Sequence, residues 1–505
     1  MSEGRKFDVR FSRDDLSLFS AASHDRNPCH TSPEYARRTP YGQLLVYGVL
    51  GAFAGLAEIE PPANCTLSKV SLDFRRAMLL DIDYIAFLVK QSPTLISMKL
   101  CDGSTTLMKA DFSFAEGGAV EVHRGTPPQS VRQVPSDRDE RDFTEGTIIK
   151  GEYLPDQAAL AALCDRFGIK ERAFGGLQLC ALLWSSYLVG MELPGLRSLF
   201  HKLTIEFKSL EAGCSPQFAY EARVVSLNAL GSLRSELRLF SEGRLVAQGE
   251  SRAFVTARSR IGSIRALEGL VPRSERLKGK IALVIGASRG LGAMLTTALA
   301  LQGCTVLANF NQSESAAQRL QETVADAPGK VVLTKGDGAD LAWCEELESR
   351  ITGEFGRLDF LICNACPALL PLTLESKMVG RINSYIGNAL ALVSVPMSVF
   401  CRPVAQNDGT CVVISSTAVE TPPKDWPHYV ASKCAIEGLS RVAALQYPGC
   451  HFMLVRPSKL RTDLTNGPAG VLSGQGEGMR PEVAAAKIVQ RLQTSVRDTF
   501  EIFVP

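Results

Sequence analysis

Two patterns of apolar and polar positions divide the chain. Up to about residue 258, paired segments such as 100–114 and 239–255 alternate apolar with polar residues on both sides of a short turn. This period of two predicts β-hairpins with one buried face. Further on, the apolar run at 280–286 leads through a glycine-rich turn into a helix that begins near Leu291. That pattern is typical of a parallel strand followed by its crossover helix.

The first half reads as two diverged copies of one unit. In each copy a helix rich in Ala and Leu precedes alternating strands, and segment 66–84 corresponds to segment 198–216. The charged segment 131–142 between the copies is predicted to be a mobile linker. A second junction, 256–279, leads to the last part of the chain. We therefore predict three domains, at residues 1–130, 143–258 and 277–505.

The sequence VIGASRGLG contains three glycines in the spacing G-x3-G-x-G, at Gly286, Gly290 and Gly292. Glycines at these places permit a tight turn and a close approach of the backbone to a diphosphate at a helix N-terminus. An ordinary glycine-rich β–α turn is the alternative. The next strand ends at Phe310 and Asn311 without a carboxylate, and Arg289 lies inside the loop. Both features favour a 2′-phosphate, and hence NADPH over NADH.

A second motif lies downstream, where Ser416 is followed by Tyr429 and Lys433. Residues at i and i+4 share one face of a helix, so the ammonium of Lys433 would lie beside the phenol of Tyr429. A neighbouring ammonium lowers the pKa of a phenol, which would let Tyr429 exchange a proton near neutral pH. With Ser416 holding the oxygen, this is equipment for hydride exchange at a C–O centre.

Composition adds exclusions. A net charge of +2 gives no reason to expect nucleic-acid binding, and no run of about 18 apolar residues suggests a membrane span. The charged N-terminus lacks the apolar core of a signal peptide. The 14 cysteines are scattered along the chain, mostly within apolar runs, which indicates reduced thiols in a cytoplasmic protein and no metal site.

Residues 277–505 resemble the short-chain dehydrogenase/reductase family, and within it the β-ketoacyl thioester reductases. The resemblance implies a catalytic tetrad of Asn388, Ser416, Tyr429 and Lys433, with Asn383 as a competing candidate for the first position. It also implies a Rossmann-type, doubly wound parallel sheet. The cofactor-binding residues it implies are Gly286, Ser288, Arg289, Gly290, Leu291, Gly292, Asn311, Asp337, Asn364, Tyr429, Lys433, Pro457 and Thr462. Cys363, Cys366 and Ser458 depart from the family pattern.

The first copy resembles the MaoC-like hydratases and dehydratases, whose motif D-x-N-P-x-H is matched by Asp25, Asn27, Pro28 and His30. The resemblance implies a double hot-dog fold for the N-terminal half, with an acid–base pair at Asp25 and His30. The backbone N–H of Gly48, at a helix N-terminus, would stabilise a thioester enolate. Tyr47 stands where the family usually has His. The second copy lacks the motif and is expected to be non-catalytic.

Both chemistries act on the same carbon of an acyl chain. We therefore expect a bifunctional NADPH-dependent β-ketoacyl reductase and β-hydroxyacyl dehydratase, acting on acyl carrier protein or CoA thioesters in fatty-acid or polyketide-type biosynthesis. A hydratase and 3-hydroxyacyl dehydrogenase of β-oxidation remains open, as does a ketoreductase with a silent acyl-binding module. Members of the reductase family usually pair through helices, so a homodimer or tetramer is expected.

Overall fold

The computed structural model describes residues 4–37, 39, 41–117, 131–138, 140–170, 174–208, 217–228, 231–256, 263–462, 478–494 and 498–505. The chain forms two compact units, Met1–Arg258 and Ser259–Pro505. Their architectures differ, and each is described separately.

The first unit is built on a ten-stranded antiparallel sheet. Its strands are β1 (Arg5–Val9), β2 (Cys65–Phe74), β3 (Tyr84–Ser92), β4 (Leu95–Asp102), β5 (Thr105–Glu116), β6 (Ile148–Tyr153), β7 (Ser198–Phe207), β8 (Phe218–Leu227), β9 (Ser232–Ser241) and β10 (Arg244–Val255). They lie in the order β1-β3-β4-β5-β2-β7-β10-β9-β8-β6. The order 1-3-4-5-2 therefore recurs as 6-8-9-10-7, and β2 pairs with β7 at the centre, with Leu72 opposite Leu203.

Helices pack against this sheet. They are α1 (Arg13–Ser23), α2 (Pro28–Thr31), α3 (Pro33–Ala36), α4 (Gly48–Ala57), α5 (Gln157–Phe167) and α6 (Gly176–Tyr187), the last running into a π-helical turn, Leu188–Glu192. Every residue of α6 is buried, and α4 is buried over nearly its whole length. A helix that is apolar on all sides requires such an enclosed position. Both copies share this arrangement, in which a helix with one exposed face, α1 or α5, precedes a buried helix, α4 or α6.

The segment between the copies differs from the expected mobile linker. Within its described part, Ser136 N–H donates to Met191 O and Leu196 N–H donates to Ser136 O, at 2.8 and 2.9 Å. Arg197 also forms an ion pair with Asp137. These contacts join Ser136 and Asp137 to the segment before β7, a pairing that charge density alone does not reveal.

The second unit has a seven-stranded sheet that is parallel throughout. Its strands are β11 (Ile281–Ile285), β12 (Thr305–Phe310), β13 (Lys330–Lys335), β14 (Phe360–Cys363), β15 (Thr410–Ile414), β16 (His451–Val455) and β17 (Phe500–Phe503), in the order β13-β12-β11-β14-β15-β16-β17. Successive residues of β11 enter opposite cores, with Val284 in one and Leu283 in the other. The prediction of a doubly wound, Rossmann-type sheet is confirmed.

Helices cover both faces of this sheet. They are α7 (Ile264–Glu268), α8 (Gly290–Leu301), α9 (Glu314–Thr323), α10 (Leu341–Phe355), α11 (Val379–Gln406), α12 (Pro427–Gln446) and α13 (Pro481–Leu492). Within the described residues, one helical stretch, Ser376–Gln406, is long and apolar enough to cross a membrane by length and composition alone, with a mean hydropathy of 1.5. Here it packs beside β14, β15 and α12. The strand order reverses between β11 and β14, which is where such sheets bind ligands.

Candidate active site

The glycine loop lies at this reversal point and is closely packed. A Cβ on Gly292 would stand 2.1 Å from Gly286 O, and one on Gly286 would stand 2.9 Å from Ala365. Gly286 has φ 79° and Gly290 has φ 56°, both in the left-handed region. Arg289 precedes α8 without capping it through its side chain. The N-terminus of this helix is therefore of the kind that binds an anion through its first N–H groups.

Two asparagines brace the loop from neighbouring strands. Asn364 Nδ2, just after β14, donates to Gly286 O at 2.9 Å. Asn309 in β12 accepts from Gly286 N–H at 3.2 Å and donates to Gly336 O at 3.0 Å. Asn309 was absent from the predicted site, although a polar residue within an otherwise apolar strand was a visible signal.

The other predicted cofactor residues surround this loop. Ser288 and Thr462 are half-buried and Leu291 is buried, while Arg289, Asn311 and Asp337 are exposed at the carboxyl edge of the sheet. Thr462 Cγ2 lies 3.4 Å from the Cβ position of Gly290. Pro457 O accepts from Thr417 N–H at 3.1 Å and so ties the Pro457 loop to the segment that carries Ser416.

The predicted Ser–Tyr–Lys group is brought together beside the loop. Tyr429 and Lys433 lie one turn apart near the start of α12, and the Lys433 Nζ lies 5.6 Å from the centroid of the Tyr429 ring. Lys433 is 4% exposed and donates to Ile414 O at 2.8 Å. Ser416 begins a short 3₁₀ turn directly after β15, and its hydroxyl accepts from Ala418 N–H at 3.1 Å.

The pKa of Tyr429 is raised, which is opposite to the expected direction. Burial is the largest cause, and it outweighs the ammonium of Lys433, which lowers the pKa. Cys366 raises it further, whereas the neighbouring Ser416 hydroxyl lowers it. Tyr429 is consequently a proton donor at neutral pH rather than a phenolate.

Asn388, the fourth predicted tetrad residue, lies on α11 with its side chain exposed. The structure instead places Tyr385 at the inner side of that helix, where its hydroxyl is 3.5 Å from Cys366 Sγ. The Tyr385 ring meets His428 edge-on, at 4.5 Å between ring centroids. Sequence reasoning noted Cys366 only as a departure, and it missed Tyr385, which stands three residues before Asn388.

The short chain dehydrogenase family model matches residues 280–468, a span that contains the glycine loop, Ser416, Tyr429 and Lys433. The second unit is a short-chain dehydrogenase/reductase domain. As the sequence predicted, this part of the chain is therefore an oxidoreductase of that family.

Curated proteins similar to this reductase domain include fungal reductases. The hydroxynaphthalene reductase of Aspergillus fumigatus is 27% identical over 190 residues, covering 37% of this chain and 69% of that protein. The glycine betaine reductase of Emericella nidulans is 29% identical over 228 residues, covering 43% of this chain and 18% of that protein.

Solved structures similar to the chain also match less than half of it. One is an alcohol dehydrogenase from the archaeon Thermococcus sibiricus complexed with 5-hydroxy-NADP, with a TM-score of 0.40, 21% identity, and coverage of 44% of this chain and 95% of that one. Another is an angucycline C-6 ketoreductase with bound NADP, with a TM-score of 0.39, 22% identity, and coverage of 46% and 96%.

In the first unit, Asp25 is 2% exposed and is held from both copies. Its Oδ1 accepts from Asn27 N–H at 3.1 Å, and its Oδ2 accepts from Ser186 Oγ of α6 at 2.8 Å. A Cβ on Gly190 of the π-helical turn would stand 2.3 Å from Asp25 Oδ1. Burial raises the pKa of Asp25 to about 7, although the Ser186 and Asn27 hydrogen bonds oppose the shift.

The remaining residues of the motif have distinct surroundings. Asn27 is fully buried and donates to Gly190 O at 2.9 Å and Gly195 O at 3.1 Å, so its role is to join the copies. His30 Nδ1 lies 2.7 Å from Leu45 O, and burial lowers the pKa of His30 to about 4. The imidazole is therefore neutral at pH 7, with a proton on Nδ1 and the lone pair on Nε2.

Tyr47 and Gly48 complete this region. The Tyr47 ring stacks on His30 at 3.9 Å between centroids, and its hydroxyl donates to Asp25 O at 2.7 Å. Gly48 begins α4 without a side-chain cap, and Phe74 occupies the place of a Cβ. Tyr47 thus fixes the loop that carries Asp25 against the start of α4.

Proposed function

We propose that the reductase domain uses NADPH to reduce the ketone of β-ketoacyl thioesters, and that the first unit dehydrates the resulting β-hydroxyacyl thioesters. The observation that carries the reductase part is the grouping of Ser416, Tyr429 and Lys433 beside the glycine loop. The acyl carrier, CoA or a carrier protein, is part of the proposal.

The residues at the loop fit a dinucleotide. Gly286 and Gly292 allow the loop and the helix to pack closely, and the start of α8, which has no side-chain cap, offers N–H groups to a diphosphate. β12 ends at Phe310 without an acidic side chain, which would otherwise bind a free 2′-hydroxyl. Arg289 in the glycine loop is exposed and carries the charge that a 2′-phosphate requires. These features support NADPH.

The side chains then divide the work on the ketone. When bound, NADPH supplies the hydride to the carbonyl carbon. Tyr429 donates its phenolic proton to the developing alkoxide, and the Ser416 hydroxyl binds the same oxygen. Lys433, fixed by Ile414 O, stabilises the phenolate that Tyr429 becomes.

Asp25 and His30 support the proposed dehydratase activity of the first unit. This proposal also assumes that the repeated strand order is that of a double hot-dog fold. His30 Nε2, unprotonated at neutral pH, would accept the α-proton. Asp25, with a pKa of about 7, would protonate the departing β-hydroxyl, so that water leaves. The opposite protonation preferences of the two groups suit this division of roles.

The first test is an incubation with a short β-ketoacyl thioester and either NADPH or NADH, followed by mass spectrometry. We expect enoyl thioester with NADPH in the wild type, and hydroxyacyl thioester alone in Asp25→Asn and His30→Ala variants. Wild type that stops at the hydroxyacyl thioester would indicate a silent acyl-binding module. Turnover of enoyl thioester with NAD, without reduction by NADPH, would indicate β-oxidation instead.

A binding measurement tests the cofactor separately from activity. Titration of NADPH and NADH, followed by the fluorescence of the nicotinamide, should show tighter binding of NADPH. Arg289→Ala should weaken NADPH binding about tenfold and leave NADH nearly unchanged, since one charge-assisted contact is lost. Equal weakening of both would contradict the assignment of Arg289 to a 2′-phosphate.

We also propose that the protein forms a homodimer or tetramer through α12. Val442 and Leu445 are 52% and 84% exposed on that helix, which is unusual for two apolar side chains so close together. Leu445→Glu should reduce the mass measured by light scattering, and an unchanged mass would exclude this surface.

A further inference from the structure

A second phenol lies next to the catalytic tyrosine. Tyr385 is half-buried on α11, and its hydroxyl is within 3.5 Å of Cys366 Sγ. Cys366 follows Ala365, which packs against Gly286 of the glycine loop. Cys366 thereby connects the hydroxyl of Tyr385 to the segment that packs against the glycine loop.

Cys366, Tyr385 and Tyr429 lie close enough to one another to interact electrostatically. Burial raises the pKa of Tyr385, and both Cys366 and Tyr429 raise it further. Cys366 in turn raises the pKa of Tyr429. Effects of this kind require short separations in a site of low dielectric constant. Tyr385 therefore stays protonated and keeps a hydroxyl hydrogen to donate.

His428 fixes the ring of Tyr385. The imidazole is fully buried, and its plane lies at 89° to the Tyr385 ring. Burial and the charge of Arg381 lower the pKa of His428 to about 4, so the imidazole is neutral at neutral pH. Edge-on pairs of this type are a favoured arrangement of two rings and stabilise the position of Tyr385. Because His428 directly precedes Tyr429, the two phenols are positioned by one helix start.

The present partner of the Tyr385 hydroxyl is a weak one. A thiol is a poor hydrogen-bond acceptor compared with a carbonyl oxygen. It would therefore be favourable for the Tyr385 hydroxyl to donate to a substrate oxygen instead of to the thiol of Cys366. A fully buried tyrosine with a strong internal partner, such as Tyr47 on Asp25 O, would offer no such donor.

We propose that Tyr385 is a substrate-binding residue that donates a hydrogen bond to a second oxygen of the substrate, two carbons from the ketone under reduction. This inference rests on the proposed reductase function and deepens it. In a β-ketoacyl thioester, Ser416 and Tyr429 bind the ketone oxygen and Tyr385 binds the thioester carbonyl. The domain then selects 1,3-dioxygenated substrates over simple ketones.

The test compares two substrates on the same protein sample. Wild type and Tyr385→Phe are assayed with NADPH on a short β-ketoacyl thioester and on a simple ketone of similar length. The ratio of the two kcat/KM values is independent of the fraction of folded enzyme. We expect Tyr385→Phe to lower this ratio about tenfold, as loss of one donor to a carbonyl predicts. Tyr447→Phe, at the far end of α12, is the matched control and should leave it unchanged.

The outcomes separate this inference from the function on which it rests. Equal losses on both substrates, or no loss, would overturn the role of Tyr385 while the reductase function stands. Wild type that reduces neither compound would overturn the reductase function and the inference with it. Cys366→Ala should keep the ratio within about threefold of wild type, because Cys366 contacts the Tyr385 hydroxyl only when no substrate is bound. A tenfold fall there would assign the selectivity to the thiol instead.

Discussion

Replacing Asp25 by Asn should stabilise the first unit at neutral pH. The carboxyl is 2% exposed, and its pKa is raised from 3.8 to about 7. A folded-state pKa above the unfolded value means that the ionised form disfavours folding, so stability falls as the pH rises from about 4 to 7. Three pKa units correspond to about 4 kcal/mol at pH 8, which sets the upper limit of the gain.

An asparagine can take over both hydrogen bonds of the carboxylate. Its oxygen can accept from Asn27 N–H, and its amide can donate to the oxygen of Ser186, but the Ser186 hydrogen then loses its carboxylate acceptor, so the gain stays below that limit. Ser186→Ala is the opposite perturbation. It removes a donor that lowers the pKa of Asp25, and it should destabilise the unit above pH 7.

Hydrogen exchange of α6 reports on the first unit alone, and should be measured between pH 4 and pH 8 after correction for the intrinsic exchange rate. We expect Asp25→Asn to protect α6 more strongly than wild type at pH 8 and equally at pH 4. Slower exchange in wild type at pH 8 would refute the reasoning, because it would mean that the ionised carboxylate is stabilised by its surroundings.

Three further predictions concern the reductase domain. Gly292→Ala should destabilise the reductase domain by about 2 kcal/mol and weaken NADPH binding, because the added Cβ would collide with Gly286 O. Gly353→Ala, which adds a Cβ in open space on α10, is the control and should stabilise the domain slightly. Thermal melts measure the stability of both variants, and titration with NADPH measures their binding. Lys433→Met should move the alkaline limb of the pH–rate profile for reduction to higher pH, because the ammonium of Lys433 lowers the pKa of Tyr429. An unchanged alkaline limb would mean that Lys433 does not influence the pKa of Tyr429. Asp359 is 1% exposed, and hydrogen bonds from Arg357 and Lys280 outweigh burial and lower its pKa. Asp359→Asn should therefore cost about 2 kcal/mol in urea melts at pH 7, less than for a fully buried pair because both cations are partly exposed. The difference should begin to shrink as the pH falls to about 4 and be lost as the pH falls through the lowered pKa of the native carboxyl.

Local motifs account for what could be predicted from the sequence. The glycine loop is one β–α turn, and Tyr429 with Lys433 is one helical turn, so spacing alone defines both. The parallel sheet and the short-chain dehydrogenase/reductase family were predicted on that basis and are confirmed. The antiparallel sheet of the first unit shows the repeated strand order, while its hot-dog assignment and its chemistry stay proposals.

Contacts between distant parts of the chain could not be predicted in the same way. Asp25 meets Ser186 across 161 positions, and Cys366 meets Tyr385 across 19 positions and two elements. Neither pair has a characteristic spacing. The direction of the Tyr429 pKa was also missed, because the number of atoms that bury the phenol is a property of the folded structure.

The repeated strand order has a consequence for how this protein could have changed over time. Two identical copies paired at β2 and β7 would have to be altered together, because any substitution would appear on both sides of the axis. Joined in one chain, they are free to diverge. One copy carries the loop of Asp25, and the other supplies Ser186 and Gly190, which enclose it. In a fused chain, one copy can thus supply the residues that surround the functional residues of the other. A symmetric pair of identical copies cannot divide the roles in this way.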